Sequence, residues 1–370
     1  MATHIMSNLL TGDVTWPAGT YRISEELFIP EGATLRLAPG VVISFINRCG
    51  ISARGRLIVE GTQEDPVLFE GNWSGILLYE FAVYGSRFDW AVFRGGSGRW
   101  CSPGKTGMDA RGFPDFALGH FDHGGAITLL DTNDFEVEFH HCVFEDNRTN
   151  GGGGALFAYK STANFTACVF RRNGVVERSS RAPTGHIRGG ALLFEESHFD
   201  MQECVLQTNQ LTVPEPDSSS GGGAIALICS TGHVADTVFY RNMTNSRGGA
   251  IHLCNRSELE LKGCEFQENT ATIGGAIASE RWGHCAPLKI SKCTFRANWA
   301  SEQGGAISSH QSLTVEDTHF DENISASGGA MNCNGSTSVR RCVFTGNRAE
   351  QTGGAIMVSA RFSTIYECRF

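Results

Sequence analysis

Between residues 140 and 370, apolar residues recur two apart in runs of four to six, with polar or glycine punctuation between runs. In Gly248–Asn269, GGAIHLCNRSELELKGCEFQEN, Ile251 and Leu253 form one run. Leu259 and Leu261 form the next, and Cys264 and Phe266 the third. Alternation with period two predicts short strands, and the punctuation predicts turns. The unit recurs: Cys-x-Phe or a close relative, then x-x-Asn, a short gap, Gly-Gly-Ala and an aliphatic residue. Eight copies occur, and a ninth begins at Cys368. The second glycine of each pair falls at Gly125, Gly154, Gly190, Gly223, Gly249, Gly275, Gly305, Gly329 and Gly354, in steps of 24 to 36 residues. A period that holds near 25 while tolerating insertions marks a stacked repeat. Three short strands per repeat predict an all-β fold, a parallel β-helix solenoid of about a dozen rungs. The crossover rule makes it right-handed.

Residues two apart share a strand face. The Cys and Phe of each Cys-x-Phe therefore point inward. Cys142, Cys168, Cys204, Cys264, Cys293, Cys342 and Cys368 line up in one file, with Thr237 and Thr318 as substitutes, and the phenylalanines stack beside it. Asn147, Asn173, Asn209, Asn242, Asn269, Asn298, Asn323 and Asn347 fall at strand ends. An Asn side chain there can bond backbone groups and tolerate a left-handed turn. The Gly-Gly pair supplies positive φ or close backbone approach at the next corner.

Residues 1–370 read as one solenoid domain. Residues 1–96 form a cap and opening rungs, 97–123 a loop excursion, and 124–370 the regular rungs, the last of them incomplete. Two more excursions, 174–188 and 210–221, lie between the Asn and the Gly-Gly pair of consecutive rungs, so they stand side by side. The opening MATHIM reads as an altered start, and no secretory signal is visible.

The net charge of −9 argues against a nucleic-acid partner. No apolar run is long enough for a transmembrane helix. Of the 13 cysteines, the seven in the repeat file need no disulfide; outside it, Cys49, Cys101 and Cys285 are the better candidates for a bridge. No Cys-x-x-Cys pair supports a structural zinc site. Three of the seven glycosylation sequons, at Asn147, Asn242 and Asn323, are by-products of the repeat.

If the aliphatic residue after Gly-Gly-Ala points inward, the first and third residues after it face outward. The files they form mix aromatic, apolar and ionisable groups about 4.8 Å apart. One patch combines Phe157, Tyr159, Lys160, Leu193 and Glu195, with Arg178, Arg181, His186 and Arg188 brought by the loops. An aromatic platform with cations suits an acidic sugar chain. A second patch holds Cys254, Glu280 and His310 on consecutive rungs, beside His252 and Arg281. Glu280 and His310 are placed for proton transfer. His310 as base and Arg281 as carboxylate neutraliser would serve a polysaccharide lyase. Glu195 and Glu280, three rungs and about 14 Å apart, are too distant for a glycosidase pair. His120, Asp122, His123, His140 and His141 offer donors for a divalent cation, although a polar loop explains them better; no other cofactor is indicated.

The repeated Gly-Gly-Ala-Ile with Phe-x-x-Asn, over about residues 120–370, resembles the chlamydial polymorphic outer-membrane proteins and related autotransporter passengers of the pectin-lyase-like superfamily. The resemblance implies a secreted or cell-surface location and adhesive binding. The leading expectation is therefore an adhesin-like surface protein whose partner is a polysaccharide or cell-surface glycan. A carbohydrate-active enzyme, a lyase or hydrolase acting on an acidic polysaccharide, is the rival.

Overall fold

The chain was analysed as a computed structural model, which describes residues 3–5, 9–80, 85–108, 114–132, 135–176, 187–214, 216, 219–280, 287–360 and 362–370. Among the described residues every regular element is a strand, and nearly all pair in parallel with their counterparts one rung away. Three walls result. Ile251–Cys254 of the Gly-Gly-Ala wall lies between Ile225–Ile228 and Ile277–Ser279. Glu258–Lys262 of the second wall lies between Thr231–Ala235 and Leu288–Ser291. Glu265–Gln267 of the Cys-x-Phe wall lies between Val238–Tyr240 and Thr294–Arg296. Near the start, the 13-residue strands Val41–Ala53 and Val67–Tyr79 run through both the first and third walls and join them. A short fourth ladder of eight strands, from Arg148–Thr149 to Arg348–Thr352, follows the Asn corner. The excursion at 97–123 contains an antiparallel pair, Arg99–Met108 with Pro114–His123.

The inward files form as the alternation predicts. Phe239, Phe266, Phe295, Phe320, Phe344 and Phe370 stack with ring centroids 4.6 to 5.1 Å apart. Phe69, Phe93, Phe144 and Phe170 form a matching stack above them, and Leu206 fills the one gap. The cysteine file has a polar logic. Thr237 Oγ1 accepts the Cys204 N–H at 3.2 Å and donates to the Ala235 carbonyl at 2.8 Å. Cys293 Sγ accepts the Cys264 N–H at 3.4 Å and donates to the Ser291 carbonyl at 3.2 Å. The position selects a small side chain that can accept one bond and donate another, which is why Thr and Cys interchange. The described cysteines are free thiols. Cys49, expected as a bridge candidate, is a buried thiol 2.9 Å from the Ile46 carbonyl. Cys285, and the side chain of Cys101, lie outside the described residues.

The asparagines make the corner. Asn242 is fully buried. Its Nδ2 donates to Asn269 Oδ1 at 3.1 Å and to the Leu206 carbonyl at 2.8 Å. Its Oδ1 accepts from the backbone N–H and the Nδ2 of Asn209, at 3.1 and 3.0 Å. An amide has two donor hydrogens and two acceptor lone pairs, and all four are used. The same pattern runs from Asn147 to Asn347. The left-handed turn expected at the Asn belongs instead to the residue before it, such as Arg241 (φ 51°) or Glu268 (φ 55°). That turn swings the Asn side chain into the corner. The two glycines of each pair divide their tasks. Gly248 takes φ +65°, while a Cβ on Gly249 would collide with the Gly275 carbonyl oxygen.

Asn242→Ala strands the Asn209 donors in the interior and is expected to destabilise the chain by about 3 kcal/mol in urea unfolding. At Cys293, Thr is expected to be tolerated. Val, which leaves the Cys264 N–H without its acceptor, should cost about 1–2 kcal/mol more than Thr in the same measurement.

Candidate functional site

The strand registers confirm the outward files of the Gly-Gly-Ala wall. Thr128, Phe157, Leu193, Ala226, His252, Ala278, Ser308 and Asn332 stand in line. Their expected exposure is corrected, because all eight are buried. Segments ahead of Gly-Gly pairs pass across the outside of this wall at Gly152 and Gly221. Isolated parallel bridges link His123, Gly152, Arg188, Gly221, Arg247 and Ile273 from rung to rung. The backbone at Gly152 presses on Leu193 and that at Gly221 on His252, so closely that a Cβ at either glycine would overlap the side chain. Beneath this cover lies a second apolar layer that includes Leu130, Phe157, Leu193, Ile228 and Cys254.

The expected binding platform is therefore smaller than its sequence suggests. Phe157 is a packing residue, 1% exposed, with its ring 4.8 Å from that of His123. Tyr159 is half-buried, and the Lys160 ammonium sits 5.0 Å from its ring centroid, 4.0 Å from Glu196. Glu195 is half-buried; burial raises its pKa, and the nearby Arg188 charge works against that rise. Arg188 is buried and its Nε donates to the Ser219 carbonyl. Arg178, Arg181, His186 and Arg281 lie outside the described residues.

The second patch is also corrected. Glu280, expected on the surface beside His310, is only 6% exposed, and its Oε1 lies 3.4 Å from His252 Nε2. His252 is fully buried and Cys254 nearly so, with Cys254 Sγ 3.4 Å from His252 Nδ1. Burial lowers the His252 pKa, against the opposing pull of Glu280. His310 is half-buried, and its backbone N–H donates to Ser279 Oγ. Glu280 under this cover is out of reach of a polymeric substrate. Of the imidazoles considered for a cation near the first Gly-Gly pair, two have contacts of their own. The His141 ring stacks on Trp90 at 4.3 Å, and His140 lies 3.6 Å from Glu138. The side chains of His120 and Asp122 lie outside the described residues.

The second wall is open. Glu258–Lys262 alternates exposed and buried residues, whereas Ile251–Cys254 is buried throughout. Across four rungs of this wall runs a groove of about 460 Å³ lined by Asn164, Asp200, Gln202, His233, Glu260 and Lys262, among others. His233 Nδ1 is 3.0 Å from Asp200 Oδ1, and His198 Nε2 is 3.6 Å from the same oxygen. Among the described residues, His198–Asp200–His233 and His252–Cys254–Glu280 are the two groups compact enough to hold a metal ion. Sequence reasoning missed the groove because it followed only the outward files after Gly-Gly-Ala. The signal was present in HFDMQ and ELELK, whose alternation leaves every second, polar residue outside.

Fold and walls together define a parallel β-helix whose Gly-Gly-Ala wall is covered and whose second wall is open. The family model described as a right handed beta helix region matches residues 120–299 and 190–370, and the chain belongs to that family. Over 237 residues it is 26% identical to the metabotropic glutamate receptor-like protein R of Dictyostelium discoideum, covering 61% of this chain and 13% of that protein. Over 150 residues it is 31% identical to the probable outer membrane protein PmpA of Chlamydia trachomatis serovar D, covering 38% of this chain and 15% of that protein. The chain thus spans less than a sixth of either relative. Among solved structures it is similar to the Streptococcus pneumoniae surface protein and adhesin PfbA, at 12% identity and TM-score 0.25, covering 97% of this chain and 92% of that one. It is also similar to the Dettilon tailspike protein, at 12% identity and TM-score 0.28, covering 94% and 62%.

Because burial raises the Glu195 pKa, the folded chain binds that proton more tightly than the unfolded chain does. Stability from this group is therefore lost as pH rises from the unfolded pKa through the folded one. Glu195→Gln is expected to raise Tm at pH 7 and above, and to give no gain below the unfolded carboxylate pKa. Thermal unfolding across pH checks both.

Proposed function

We propose that this chain is the binding portion of a surface-exposed, adhesin-like β-helix protein, and that its ligand is a glycan held in the groove of the second wall. The observation that carries the reading is the contrast between the walls. The Gly-Gly-Ala wall is covered, while four rungs of the second wall present amide, carboxylate, imidazole and ammonium groups side by side in one groove. Such a surface offers both donors and acceptors at each step, which suits a hydroxyl-rich chain. It carries both signs of charge, through Asp200 and Glu260 against Lys262, so it suits a neutral or mixed glycan better than a uniform polyanion. Tyr159 and Lys160 stand at the corner where this wall begins and would extend the contact. Similarity to a probable outer membrane protein supports the surface location. The burial of Glu280 weighs against the rival lyase or hydrolase reading.

The test is retention of the purified chain on immobilised neutral and acidic polysaccharides, with release of unsaturated or reducing sugar followed in parallel. Retention without turnover is expected, weakened at least tenfold in His233→Ala and in Lys262→Ala. Turnover lost in His310→Ala would favour the enzyme. No retention on any glycan would remove this reading.

A further inference from the structure

We propose that His252, Cys254 and Glu280 form a transition-metal site beneath the cover of the Gly-Gly-Ala wall, and that Zn²⁺ is the ion their chemistry fits. This inference is independent of the glycan reading and concerns the opposite kind of surface. His252 and Cys254 are two apart on one strand and share its outward face, and Glu280 follows the next strand of the wall. Their ligand atoms all lie within 4.8 Å of one another. His252 Nε2 is 3.8 Å from Cys254 Sγ and 3.4 Å from Glu280 Oε1. Ligands at ordinary zinc distances in a tetrahedron stand about 3.3–3.6 Å apart, so small adjustments would close the site.

The surroundings set the energetic argument. The positions flanking His252 in its file hold Ala226 and Ala278, and the one before Cys254 holds Ile228. Alanine and isoleucine satisfy this layer without any polar partner. Three ionisable groups stand in their place, 0%, 2% and 6% exposed, where burial of charge is costly in itself. A divalent cation on one thiolate and one carboxylate leaves no net charge. Thiolate, imidazole and carboxylate are all zinc ligands, and three protein ligands leave a fourth position. The Ser219 carbonyl, 3.8 Å from Cys254 Sγ, borders the cluster. Gly221 brings its backbone against His252, a closeness no other residue type allows.

The chelator-stripped full chain should take up one equivalent of Zn²⁺, read by titration calorimetry and elemental analysis, and its Tm should rise on uptake. Co²⁺ in place of zinc should give a thiolate-to-metal charge-transfer absorption. Cys254→Ser should abolish that band, and His252→Ala and Glu280→Gln should each weaken zinc binding more than tenfold. Cys229→Ser, which removes an exposed thiol, should change none of these. The proposal is overturned if the folded wild-type chain takes up no stoichiometric zinc and its Tm does not respond. It is equally overturned if the cobalt band survives in Cys254→Ser or disappears in Cys229→Ser. Should a buried substitution unfold its rung, the wild-type uptake, Tm shift and cobalt band still decide.

Discussion

The buried amide ladder from Asn147 to Asn347 is the constraint on which the regular rungs depend. A solenoid has to turn its chain several times per rung, and each turn leaves backbone groups without strand partners. Buried, those groups need hydrogen bonds. An Asn side chain supplies two donors and two acceptors along the axis and ties each corner to the corners on either side. Its contacts are to identical residues, so the rungs must stay in register. That fixed register turns a one-dimensional repeat into vertical files of Phe, Cys and Ile.

The ladder also decides where the chain may grow. Rung lengths vary from 24 to 36 residues, yet the Asn, Phe and Gly-Gly-Ala files run on. The two longest insertions enter between the Asn corner and the Gly-Gly pair, after the amide has been satisfied and before the glycine contact begins, while the 29- and 30-residue rungs gain theirs after the Gly-Gly-Ala strand. Closing a longer loop there costs only slowly increasing entropy. Segments leading into Gly-Gly pairs also cross the Gly-Gly-Ala wall, at Gly152 and Gly221. The variable part of the repeat therefore becomes its lid.

This explains which features were legible in the sequence. Inward positions alternate with period two against a core, so the strands, the Phe and Cys files and the solenoid itself could all be read from residue order. The covered wall could not. Phe157, His252 and Glu280 sit where alternation alone says outside, and they are buried by segments with no periodicity of their own. Leu193 and Ile228 on the same files were the available hint, since apolar residues repeated on an outward file point to a covering layer. The left-handed corner residues were equally hidden, because Arg241, Glu268 and Thr208 have little in common except standing before an Asn. The groove of the second wall was legible in principle: His198, Asp200 and His233 fall on its open face.

The two walls give the same residue types different meanings. His198, Asp200 and His233 lie in water or at its edge, where their solvation is largely kept and their contacts fall in the range of weak surface pairs. The interest of Asp200 and His233 lies in lining a groove, with His198 beside them. His252, Cys254 and Glu280 have given up solvation in a layer whose neighbouring rungs hold Leu193, Ala226, Ile228 and Ala278, although Thr128, Ser308 and Asn332 are also buried along the same file. There the arrangement itself carries the argument, because packing alone is better served by the apolar residues used on neighbouring rungs. In a repeat protein each position has its own controls on the rungs beside it. A departure from those controls is most informative where departure is most expensive, under the lid.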